Sequence, residues 1–80
     1  MTREQRTFTV FGFSTTHDAL TAEDALRDAS VEAVAIPTPA VLGSLCGIAL
    51  RMLPDDEARA RVVLESAGVR VTASAPLRDV

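Results

Sequence analysis

Strand-like and helix-like patterns alternate along this chain in an order that runs twice, and that order leaves few folds open. Thr7-Phe8-Thr9-Val10-Phe11-Gly12-Phe13 is dense in β-branched and aromatic residues and reads as a first strand. Ser14, Thr15 and Thr16 then offer N-caps for a helix reaching about Ala29. Ala19, Ala22, Leu26 and Ala29 recur there at helical spacing, while Asp18, Glu23, Asp24 and Asp28 supply the wet side. Val31 to Ile36 ends at Pro37 and reads as a second strand. Cys46 to Met52 reads as a third, with Cys46, Ile48, Leu50 and Met52 on one face. Pro54 and the acidic Asp55-Asp56-Glu57 suit the first turn of a second helix, whose apolar stripe is Ala60, Val63, Leu64 and Ala67. Gly68 is its left-handed stop. Val69, Val71 and Ala73 alternate with Arg70 and Thr72 as a fourth strand, and Pro76 to Val80 is expected to fray. The order β-α-β-β-α-β in about 70 residues is the ferredoxin-like split-βαβ pattern. It predicts an α+β fold: a four-stranded antiparallel sheet in spatial order 4-1-3-2, with two helices on one face.

Length and composition agree with one small domain. The chain has 80 residues, enough for a single core; residues 1–80 form one domain, structured from about 7 to 75 with frayed ends. Hydrophobic residues make up 48% and charged residues 24%, which argues against disorder. A net charge of −3 with 4% aromatics suits a phosphate backbone poorly, so no nucleic-acid partner is expected. Cys46 is the only cysteine and His17 the only histidine, so the chain cannot staple itself with a disulfide, and no metal or other cofactor is read. Met1 to Arg6 is charged, and no apolar run suits a signal peptide or a membrane span. The cytoplasm is the expected location, where a lone thiol stays reduced.

The predicted topology gives that thiol a particular address. The end of strand one, the start of helix one, the loop from Thr38 to Leu45 and the start of strand three share one edge. Cys46 should therefore lie near Gly12, Phe13, Ser14 and the unpaired N–H groups that open the helix, donors that favour an anion. His17, in the first turn, could add a hydrogen bond or a positive charge, and Gly47 would let a partner backbone approach. Blander alternatives stand beside each residue. A free cysteine commonly packs as a small hydrophobe, His17 can be simply solvated, and Arg51 can be a surface charge.

Ile36-Pro37-Thr38-Pro39, followed by Ser44-Leu45-Cys46-Gly47-Ile48-Ala49-Leu50-Arg51, resembles a family of small bacterial proteins described as selenium/sulfur carrier protein-like. The likeness runs from Phe8 to Val71 and takes in Ser14-Thr15-Thr16-His17 before Ala19-Leu20, and Ala67-Gly68-Val69. Ala40 stands where a basic residue often follows the second proline, and Leu45 where a small polar residue often precedes the cysteine. The resemblance implies a carrier more than an enzyme: Cys46 would hold a sulfane sulfur or selenium as a persulfide or selenopersulfide. The donor would be a cysteine desulfurase or selenocysteine lyase, and an acceptor protein would take the atom on. Gly47, Ser14, Thr15, His17, Thr38 and Arg51 are the expected binding residues around it. Two alternatives use the same fold differently. One is a non-catalytic interaction or small-molecule sensing module with an inert buried cysteine; the other is a redox sensor forming an intermolecular Cys46–Cys46 bond.

The sheet face away from the helices carries one more expectation. If Phe8, Val10 and Gly12 face the helices, Phe11 and Phe13 point to the open side, among Ala35, Ala49 and Thr72. Two wet phenylalanines would favour a homo-oligomer through that face. A bulge near Gly12 would instead invert the parity and place both rings in the core.

Overall fold

The computed structural model describes residues 6–79. The expectations that fall on Met1 to Gln5 and on Val80 lie outside these residues. Strands β1 (Arg6–Gly12), β2 (Val34–Pro37), β3 (Ile48–Met52) and β4 (Ala73–Asp79) form one sheet in the order β2-β3-β1-β4, every neighbouring pair antiparallel. Helices α1 (Thr16–Asp28) and α2 (Glu57–Ser66) complete the ferredoxin-like order β-α-β-β-α-β.

Thr15 starts α1 by accepting a hydrogen bond from the Asp18 N–H at 3.0 Å, the expected N-cap geometry. Both helices end in the same way. Ser30 (φ 60°) and Gly68 (φ 73°) take left-handed conformations, and the Val31 and Val69 amides reach back to the Leu26 and Leu64 carbonyls at 2.8 and 2.9 Å. Val31 and Val69 are buried, so each stop is also an apolar contact. This is why the second strand begins at Val34 and not at Val31.

The core lies between helices and sheet. Phe11, Phe13, Leu26, Leu50 and Leu64 are at most 1% exposed, with Ala19, Ala22 and Ala60 letting the helices sit close. Phe11 and Phe13 are therefore inside, which overturns the expectation that they face outward and removes the basis for an oligomer built on them. No bulge causes this, because the β1–β3 register runs unbroken from Thr9↔Met52 to Gly12↔Ala49. Phe11 pairs with Leu50 on the helix side, while Phe8, Val10 and Gly12 turn to the other face. On the helix side Glu57 ties the layers together. Its carboxylate accepts from Thr9 Oγ1 at 3.2 Å and from Arg61 Nε at 3.0 Å, and the Arg61 guanidinium lies 4.8 Å from the Phe11 ring centroid.

The fourth strand also differs from expectation. Val69 and Val71 pack against the core, but they do so as an extended approach, with Thr72 N–H bonded to the Gly12 carbonyl at 2.9 Å. The strand itself is Ala73–Asp79, paired with β1 from Gly12↔Ala73 to Arg6↔Asp79, so Pro76 to Asp79 is sheet and not tail. Pro76 is tolerated because β4 is an edge strand.

The face opposite the helices is not bare. The connection from Thr38 to Gly47 makes a short 3-10 turn at Ala40–Leu42 that packs against β4, so it crosses β1 to reach the far edge. Leu42 and Leu45 lie over Gly12. Among the described residues no helix is long and apolar enough to cross a membrane.

Candidate functional site

Cys46 sits at the base of this crossing loop, two residues before β3. Strand pairing between β1 and β3 ends at Gly12↔Ala49, and beyond it the Cys46 N–H donates to the Phe13 carbonyl at 3.1 Å. That bond holds the cysteine backbone against the end of β1. Thr38 closes the loop from the other side. Its N–H donates to the Gly47 carbonyl at 3.1 Å, and its Oγ1 donates to the Cys46 carbonyl at 2.5 Å. The chain enters and leaves the loop through these bonds, so Thr38 and Cys46 form one clamp.

The thiol is half-buried and packs against the core cluster beside Ile48. Its Sγ donates to the Ile48 carbonyl at 3.2 Å, so the side chain is satisfied as a neutral thiol and aligned along the strand. Ionising it removes that donated proton. Beside the cysteine, Gly47 is exposed, and a Cβ placed there would meet nothing within 4 Å.

The other sequence-derived candidates divide into three groups. Thr38 and Gly47 adjoin Cys46 directly. Thr15 serves as the cap of α1, Ser14 Oγ is 2.8 Å from Thr72 Oγ1, and His17 is exposed in the first helical turn. They occupy the helix opening that follows Phe13, each with its own local environment. Arg51 stands apart: it lies near the far end of β3, on the face away from the helices, its guanidinium 4.4 Å from the Phe8 ring centroid. Leu42 carries no signal of its own in the sequence, while Leu45 stands out there only as a departure from the family pattern and Thr72 only as a neighbour on the expected open face. The one signal that points to the leucines is Gly12, because a glycine inside a strongly strand-forming run often marks a close approach of other chain.

Among the described residues no group of three or more His, Cys, Asp and Glu side chains is arranged to hold a metal ion. Two surface clefts, of about 350 and 230 Å³, lie at the C-terminal end of α1 and beside Phe8 and Arg51; neither is lined by Cys46. Cys46 is half-buried at the base of the loop, with its exposed part beside the exposed Gly47.

A family model described as "Putative Se/S carrier protein-like" matches residues 8–75. Searches of curated proteins and of solved structures return no match.

Proposed function

Because the chain belongs to the Se/S carrier protein-like family, we propose that Cys46 is the atom-carrying residue and that the protein relays sulfane sulfur or selenium between enzymes. The donor is an enzyme bearing a cysteine persulfide or its selenium analogue, as a cysteine desulfurase or selenocysteine lyase would. The Cys46 thiolate attacks the terminal sulfur of that persulfide, forming the new S–S bond while the donor's S–S bond breaks. The donor cysteine leaves as a thiolate, the carrier becomes a persulfide, and no net oxidant is consumed. An acceptor nucleophile reverses the exchange. A chain with a single cysteine has no second thiol to expel the atom as an internal disulfide.

The observation that carries this reading is the setting of Cys46: the sole thiol, half-buried on a pinned loop, with the unobstructed Gly47 beside it. Incubation with a desulfurase and cysteine, followed by intact mass spectrometry under non-reducing conditions, tests it. One added sulfur is expected on the wild type and none on Cys46→Ala. An unmodified wild type, or a gain that persists in the variant, overturns the assignment.

One observation favours a second reading, an interaction module with an inert cysteine: the thiol already has a hydrogen-bond acceptor and core contacts. Native-state alkylation separates the two. Labelling that appears only on unfolding supports the module.

A further inference from the structure

Gly12 has no left-handed backbone to excuse it; the glycines with positive φ are Gly43 and Gly68. Its reason is space. A Cβ on Gly12 would lie 2.6 Å from Leu45 Cδ1 and 2.9 Å from Leu42 Cδ1, both closer than carbon atoms approach without something moving. Across the sheet Gly12 pairs with Ala49, itself fully buried, and on its other side with Ala73. Three small residues in a row across β3, β1 and β4 thus form a shallow seat, and the two leucine side chains that reach into it belong to the cysteine loop.

We propose that Gly12 is a positioning residue for Cys46: the side chain it lacks is the seat in which Leu42 and Leu45 hold the loop down on the sheet. Leu45 immediately precedes Cys46, so a shift at Leu45 is transmitted through one peptide bond to the backbone whose N–H bonds Phe13 and whose carbonyl accepts from Thr38. The hydrogen bonds fix the loop at its base, and the leucines fix it across the sheet. Seated, the loop keeps Cys46 half-buried and donating to Ile48; lifted, it presents the thiol. The proposal rests on the carrier reading only for its biological meaning, since thiol access is measurable without any donor.

The test is the rate at which iodoacetamide alkylates Cys46 in the folded protein, with circular dichroism and urea midpoints recorded in parallel. Gly12→Ala should speed alkylation by about tenfold, equivalent to about 1.4 kcal/mol in the equilibrium between seated and lifted loop. Leu45→Ala should also speed it, by removing the occupant of the seat. In a Leu42→Ala/Leu45→Ala background the Gly12→Ala change should lose most of its effect, because both side chains that a Cβ at Gly12 would meet are then gone. A Gly12→Ala protein that folds and labels at the wild-type rate overturns the proposal, as does an equal effect in both backgrounds. If Gly12→Ala fails to fold, Leu45→Ala decides alone, and an unchanged rate there is equally fatal. A wild type that accepts no sulfur while these rates hold would remove the carrier reading and leave the seat intact.

Discussion

Thr38 is the residue on which the candidate site most directly depends. Its hydroxyl donates to the Cys46 carbonyl and its amide to the Gly47 carbonyl, so one side chain and one peptide group hold both ends of the loop together. A neutral hydrogen bond of this kind contributes about 0.5–1.5 kcal/mol net, and an orphaned carbonyl can cost more. Thr38→Val keeps the shape and the amide bond but removes the donor. It should lower stability by about 1 kcal/mol and quicken Cys46 alkylation, while Thr38→Ser should stay near wild type. Equal labelling of wild type, Val and Ser variants would show that the hydroxyl does not restrain the loop. The same scale explains what could be read in advance. Pro37-Thr38-Pro39 and the lone Cys46 are visible in the chain as written. The leucines over Gly12 are not, because that contact joins residues some thirty positions apart and exists only once the loop has crossed β1.

At the scale of elements, the two helix ends make a natural comparison. α1 and α2 stop with the same pair of backbone bonds and the same buried valine, but one uses Ser30 and the other Gly68 in the left-handed position. An L side chain there crowds its own carbonyl by roughly 1–2 kcal/mol, part of which glycine gives back in unfolded-chain entropy. Ser30→Gly should therefore stabilise the protein by up to about 1 kcal/mol, and Gly68→Ala should destabilise it by a similar amount. Urea denaturation of both variants checks the pair, and shifts of the same sign would refute the argument. Proline plays the matching role at the sheet edges. Pro37 ends β2 and Pro76 interrupts the donor row of β4, which blunts both outer strands against pairing with another chain. Pro76 is also why the fourth strand lies later in the chain than the sequence predicts. The alternation of Val69, Val71 and Ala73 is the stronger strand signal, whereas a proline in Ala73–Asp79 reads as a break until the edge position is known.

For the molecule as a whole, the sheet has a helix layer on one face and a crossing loop over part of the other. The second half of β1, in the middle, is consequently dry on both sides: Phe11 is 0% and Val10 1% exposed, though they face opposite ways. A strand buried on both faces loses its alternation and reads as a continuous apolar run, so the hydrophobic pattern could establish that Thr7 to Phe13 is a strand but not which side it turns to the helices. The element order survived this ambiguity because it depends on periodicity within each segment, while the facing of β1 depends on what the loop does. The phenylalanines provide the test. Phe11 lies under the helices against Leu50, with the Arg61 guanidinium over its ring; Phe8 is half-buried on the far face beneath Arg51. A domain of this length has about 4–12 kcal/mol of stability in total. Phe11→Ala removes about 3–5 kcal/mol through lost burial and the cavity left behind, a large share of that total, and should lower the urea midpoint steeply. Phe8→Ala loses only part of one ring's burial, about 1–2 kcal/mol, and should stay folded with a modestly lower midpoint. Equal losses for the two variants, or a larger loss for Phe8→Ala, would contradict the placement of β1 between its two layers.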